Sequence, residues 1–119
     1  VFHEVGVPML AGTDTPLPVM YPGFSIHDEI AALQDAGLSP FEALSAATAN
    51  AGRFVREWVD ASARFGTVTE GARADLILVG SNPLDDLDLL RRPQGVMVRG
   101  QWFDREALDV LLEVAAGNR

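Results

Sequence analysis

Apolar and polar positions along the chain change period several times, and each change marks an element. Val7-Pro8-Met9-Leu10-Ala11-Gly12-Thr13 is a short, mainly apolar run that ends at Asp14. A run without alternation reads as a strand buried on both faces, the kind found in parallel sheets. Pro16, Pro18, Pro22 and Gly23 then interrupt Leu17, Val19, Met20, Tyr21 and Phe24. Proline at that density continues neither a helix nor a central strand, so a loop with fixed turns is expected. So apolar a loop serves either as a lid over a pocket or as a segment packed on the body.

The period then becomes helical. Ser25 is the expected cap of a first helix, with Asp28 and Glu29 in its first turn against the positive end of the dipole. Ile30, Leu33 and Ala36 repeat at helical spacing, and Gly37 suits a left-handed C-terminal cap. A second helix starts with Ser39 as N-cap, Pro40 at its first position and Glu42 closing a capping box. Phe41, Leu44, Ala47 and Thr48 define one face with Ala43 and Ala51 beside it; so much alanine allows close packing, and the helix end is expected near Asn50-Ala51-Gly52. A helical link through Trp58 follows.

From Phe65 onwards the pattern is that of short strands. Segments at 67–69, 75–79, 96–98 and 101–103 predict a separate antiparallel sheet, with Arg99-Gly100 as a hairpin turn. Residues 84–93 are an acidic, leucine-bearing connector, in which Asp85, Asp86 and Asp88 are read as solvated. Trp102 and Phe103 are expected in core or interface packing. Asp104 caps a last helix whose apolar stripe is Leu108, Leu111, Leu112 and Ala115. The buried strand ending at Asp14 has no parallel neighbour in this chain to satisfy its backbone groups. The opening segment, which lacks an initiator Met, is therefore expected to close a larger sheet or barrel whose remainder lies upstream.

Composition narrows the chemistry. At 119 residues, with 48% hydrophobic and 22% charged positions, the chain is of single-domain size and fit to pack a core. A net charge of −8 without a basic stripe argues against nucleic acid and anionic membrane as partners. All nine basic residues are Arg, so no lysine Schiff base or modified-lysine metal bridge can come from this segment. Cysteine is absent, which excludes disulfides and thiolate sites and is compatible with the cytoplasm. His3-Glu4 lacks the second histidine of a zincin helix and is read as surface. Asp14 at a strand end is the candidate catalytic group, since α/β folds place catalysis there. Pro16 stands where an aspartyl phosphotransferase needs its second Asp and an aspartic protease its Gly, so both fit poorly.

Three segments carry a family resemblance. Gly12-Thr13-Asp14 resembles the end of the eighth barrel strand of amidohydrolase-superfamily enzymes, in the branch of imidazolonepropionase-like and prolidase-like metal-dependent hydrolases. Gly23-Phe24-Ser25-Ile26-His27-Asp28-Glu29-Ile30, running on to Ala47-Thr48-Ala49-Asn50, resembles the two helices that follow that strand. Gly66-Thr67-Val68, Ala74-Asp75-Leu76-Ile77-Leu78-Val79, Asn82-Pro83-Leu84 and Val96-Met97-Val98-Arg99-Gly100 resemble the strands returning to the small β-sandwich domain. The implied α/β fold is the last β/α unit of a (β/α)8 TIM-like barrel plus carboxyl-terminal strands of the sandwich. Residues 1–64 would be the barrel end, 65–104 the sandwich strands and 105–119 a terminal helix.

The resemblance implies a metal-dependent hydrolase of non-peptide carbon–nitrogen bonds, such as cyclic amides or amidines, in the full-length protein. Asp14 would contact a divalent metal, such as zinc, and serve as general acid/base, the remaining ligands lying upstream. Thr13 and His27 would contact substrate, although Thr13 equally suits backbone bonding and His27 equally suits packing. Only His3 and His27 are present and neither belongs to a paired motif, so this fragment alone is expected to lack a complete active site and not to hold zinc tightly. The expected partners are a small-molecule substrate and the rest of the barrel, upstream or on a second chain, with a homo-oligomer also compatible. The rival reading is a non-catalytic α/β packing module.

Overall fold

The structure, a computed structural model, describes residues 5–15, 18 and 20–117. The expectations for His3-Glu4 and for Pro16, Leu17 and Val19 lie outside the described residues. Three helices come first: α1 (Ser25–Asp35), α2 (Pro40–Ala47) and α3 (Ala49–Trp58). Strands β1 (Leu76–Leu78), β2 (Gly95–Val98) and β3 (Gln101–Asp104) follow, with a 3₁₀ turn (Leu87–Arg91) between β1 and β2, and α4 (Arg105–Ala115) ends the chain. The result is a mixed α/β unit with a small antiparallel sheet in the order β1-β2-β3.

Several of these elements follow from local chemistry. Ser39 caps α2 by accepting from the Glu42 amide, while the Glu42 carboxylate accepts from the Ser39 amide at 2.8 Å, closing the expected capping box. Gly37, at φ 101°, ends α1; its amide donates to Gln34 and the Leu38 amide donates to Leu33, a Schellman arrangement that swings Leu38 into the core. Arg99 and Gly100 both take positive φ, as a two-residue type I′ hairpin requires. That turn is tethered from outside: the Arg99 amide donates to Asp75 Oδ1 at 2.8 Å and the Gly100 amide to the Ala74 carbonyl at 3.0 Å. The Arg99 amide bond, aided by Arg73, also holds the Asp75 carboxyl below its usual range. Asp104 caps α4 through the Ala107 amide, as expected.

Among the described residues the buried hydrophobic cluster lies between α1, α2 and the 3₁₀ turn: Ile30, Leu33, Leu38, Ala43, Ala46, Leu87 and Leu90. Ala43 and Ala46 are completely enclosed. The connector of residues 84–93 thus does more than bridge: Leu87 and Leu90 complete the core.

Local pattern failed where tertiary context decides. Residues 7–14 form no strand, and Val7 and Leu10 are exposed. No neighbouring strand stands beside them among the described residues, and a lone extended segment has no ladder to join. Ser25 is the first residue of α1 rather than its cap, which is Phe24; the Ser25 hydroxyl accepts instead from the Tyr21 amide. The second helix ends at Ala47, not near Gly52, and α3 restarts at Ala49 after Thr48 turns out of helical conformation. Residues 67–69 are not a strand. The 75–79 strand shortens to Leu76–Leu78, with Ile77 and Leu78 about half exposed. None of the apolar stripe of α4 is buried. Among the described residues, no helix is long and apolar enough to cross a membrane.

The exposed surface is large for the chain's size. A compact monomer of 12.8 kDa would expose about 6,300 Å². This chain exposes 8538 Å². Its radius of gyration, 15.3 Å, likewise exceeds the value of about 13.5 Å for a compact domain of this length. Much of the excess is apolar, with Trp58 at 76% and Trp102 at 46% exposure, and Val110, Leu111, Leu112 and Val114 open along α4. Large apolar side chains exposed in this number suit a surface that other parts of the full protein cover.

Candidate functional site

The corner that ends at Asp14 is held by all three first helices. The Met9 carbonyl accepts from Asn50 Nδ2 of α3 at 3.0 Å. The Ala11 amide donates to the Ala46 carbonyl of α2 at 3.1 Å. The Gly12 amide donates to Glu29 Oε1 of α1 at 3.2 Å. Met9 and Ala11 also pack against the buried cluster. These contacts replace the strand ladder that the sequence pattern suggests.

Beyond Gly12 the chain turns outwards. Asp14 has φ 52°, a left-handed conformation that costs a non-glycine residue about 1 kcal/mol or more, although Asp tolerates it better than most. Its side chain is exposed, and no hydrogen bond or ion pair holds its carboxylate among the described residues. Thr13 and Thr15 flank it and share a hydroxyl–hydroxyl hydrogen bond at 2.5 Å. The Thr13 hydroxyl is thus engaged next door, while the carboxylate between the two threonines projects from a strained backbone. Strain of this kind gathers at functional corners.

His27 is placed elsewhere. It lies two residues before Glu29, so at about 100° per residue the two side chains leave α1 on opposite sides. His27 lines a small depression with Ile30, Gln34, Leu87, Asp88 and Arg91, on the side of the 3₁₀ turn. Arg91 there pairs with Asp28 at 2.9 Å and Asp88 at 3.1 Å, tying α1 to the turn. The structure therefore brings Thr13 to Asp14 but sets His27 between two packed elements.

Partial burial holds His27 below its ordinary pKa of 6.5; the Arg91 guanidinium adds to this, and Asp28 and Asp88 oppose it. A histidine with a depressed folded pKa stabilises the fold while neutral. Its contribution is complete above the unfolded value and is lost as pH falls through the folded one. Denaturant midpoints measured at about pH 7.5 and about pH 5.5 should fall at the lower pH, and His27→Gln should reduce that fall. An unchanged pH dependence in the variant would show that His27 does not couple to folding.

Two residues now prominent gave little local signal. Glu29 reads in sequence as a first-turn acid and Asn50 as a helix end. Glu29 does share a helix face with Ile26 and Leu33, which points it towards whatever packs on the core. Among the described residues, no group of three or more His, Cys, Asp or Glu could hold a metal ion.

Comparison with known proteins adds the relatives. The model of the Amidohydrolase family matches residues 1–103. An uncharacterized protein of Mycobacterium tuberculosis is 37% identical over 101 residues, which is 85% of this chain and 25% of that protein. Ochratoxinase of Aspergillus niger is 35% identical over 94 residues, 78% of this chain and 18% of the enzyme. Among solved structures, phenylurea hydrolase B superposes with a TM-score of 0.58 at 34% identity, covering 72% of this chain and 18% of its own. A crystal structure of an amidohydrolase gives 0.54 at 32% identity, covering 66% and 19%. The chain spans about a quarter or less of the length of each of these relatives.

Proposed function

Since the chain belongs to the amidohydrolase family, we propose that it forms the carboxyl-terminal part of a hydrolase that cleaves carbon–nitrogen bonds in small molecules. The observation that carries the reading is Asp14 itself: an unpartnered, exposed carboxylate on a left-handed backbone, held from behind by three helices. In the full protein it takes a proton from the attacking water and returns one to the leaving nitrogen, so a single carboxylate serves both steps without moving. Thr13 and Thr15 border it, their hydroxyls hydrogen-bonded to each other. Phenylurea hydrolase B, by its name a hydrolase of phenylureas, and ochratoxinase support hydrolysis of a carbon–nitrogen bond, with ureas one substrate class to try.

The described residues do not by themselves fit a metal cage, because no three His, Cys, Asp or Glu side chains among them gather to hold an ion. Members of the family generally use divalent metals. A metal site here would take one oxygen from Asp14 and its other ligands from outside the described residues, with zinc our choice of metal. The chain alone, purified and washed with chelator, should retain well under one equivalent of zinc; metal analysis showing near one equivalent would contradict this.

The domain reading follows the same lines. Residues 1–64 close a (β/α)8 barrel, 65–104 belong to a β-sandwich, and 105–119 pack as a terminal helix. Support comes from the surface: the excess of about 2,200 Å² over a compact monomer is of the size buried in obligate interfaces. Residues 7–14 then gain their ladder from barrel strands on the remainder of the protein.

The test is a panel of N-acyl amino acids, aryl ureas, cyclic amides, amidines and dipeptides given to the full-length protein with zinc. Turnover of at least one carbon–nitrogen substrate is expected. Metal-loaded protein that turns over none of them would instead favour a non-catalytic packing module.

A further inference from the structure

We propose that Glu29 is a positioning residue for Asp14, acting through the Gly12 backbone; this rests on the reading of Asp14 as the acid–base group. Glu29 Oε1 accepts the Gly12 amide proton across seventeen positions of sequence. The bond is the last of three along the segment, after the Asn50 bond to Met9 and the Ala46 bond to Ala11. Arg53 donates to Asn50 Oδ1 at 3.3 Å, which leaves the Asn50 amino group to face Met9. Beyond Gly12 no backbone hydrogen bond of Thr13 or Asp14 to a described residue steadies the corner. Glu29 is therefore the final fixed point before the reacting carboxylate.

Two residues of extended chain span about 7 Å, so a modest rotation at Gly12 moves the Asp14 carboxylate by an ångström or more. Asp14 is also held in a left-handed state that an untethered segment would relax. A displacement of about 1 Å costs a catalytic group on the order of 10²-fold in rate. The interaction needs an acceptor at the end of the side chain and does not need its charge. Glutamine presents the same Oε1 at the same reach, and alanine presents nothing.

The experiment compares Glu29→Ala and Glu29→Gln in the full-length protein, on whichever substrate the wild type turns over. Glu29→Ala should lower kcat by about 10²-fold with little change in KM, and Glu29→Gln should restore most of it. Hydrogen-exchange mass spectrometry of a peptide covering residues 9–14 should show faster exchange in Glu29→Ala and wild-type exchange in Glu29→Gln. A kcat unchanged in Glu29→Ala would overturn the proposal, as would an equal loss in the two variants, which would make the charge the active feature. If Glu29→Ala does not fold, Glu29→Gln decides: wild-type kcat and exchange support the acceptor role, and loss of either refutes it. Absence of turnover in the wild type would count against the hydrolase reading instead, and the exchange comparison would still judge the tether.

Discussion

Asp14→Asn in the full-length protein lowers kcat by about 10³-fold while leaving the melting temperature close to wild type. The substitution is chosen for the backbone as much as for the chemistry. Asn is among the few residues that accept the left-handed region Asp14 occupies, so the corner keeps its shape. What disappears is the group that can take a proton from water and return it to nitrogen. Because the carboxylate makes no hydrogen bond or ion pair with the described residues, no structural contact is lost with it. Steady-state kinetics beside a thermal melt read both halves, and a kcat within about twofold of wild type would remove Asp14 from the acid–base role.

Gly52→Ala should destabilise the fold by about 3 kcal/mol, near the top of the usual range for overpacking. A Cβ at Gly52 would stand 2.2 Å from the Phe65 carbonyl oxygen and 3.0 Å from its carbon. Both obstacles are backbone, so no side chain can rotate aside. The facing segment cannot retreat freely either: Gly66 has φ +90°, and its own added Cβ would meet the Thr48 carbonyl oxygen at 2.6 Å. Two glycines thus let α3 and the Phe65–Gly66 backbone touch, where residue 66 leads out of the helical half. For a chain of this size the loss corresponds to a fall of roughly 10 °C or more in Tm. An exposed control such as Gly71, where a Cβ meets nothing within 4 Å, lacks the clash and carries instead a positive-φ penalty that helical Gly52 does not. If Gly52→Ala melts with wild type, the close approach does not hold the two halves together.

Elements set by neighbours in sequence were legible; those set by neighbours in space were not. The Ser39–Glu42 box, the Arg99-Gly100 hairpin and the Asp104 cap each close within a few residues, and each formed as expected. At Thr48 propensity alone would continue the helix through Ala-Ala-Thr-Ala-Asn, and the break combines a back-bonding threonine with a neighbour distant in sequence. There the Thr48 carbonyl sits against Gly66, and its hydroxyl bonds back to the Leu44 carbonyl at 2.7 Å. Residues 7–14 carry the pattern of a buried strand, yet burial needs neighbouring strands, and none stands among the described residues. The position of Asp14 was legible as the end of an apolar run. The grip of Glu29 and Asn50 on that run, over seventeen and forty-one residues, was not.

The proposed place of Asp14 in a metal-dependent carbon–nitrogen hydrolase can be decided by amine release from an N-acyl amino acid or aryl urea, measured on the full-length protein before chelation, after chelation and after zinc is returned. Release is expected to be lost with the metal and restored with it. Release indifferent to the chelator, or none from metal-loaded protein, would contradict that proposal.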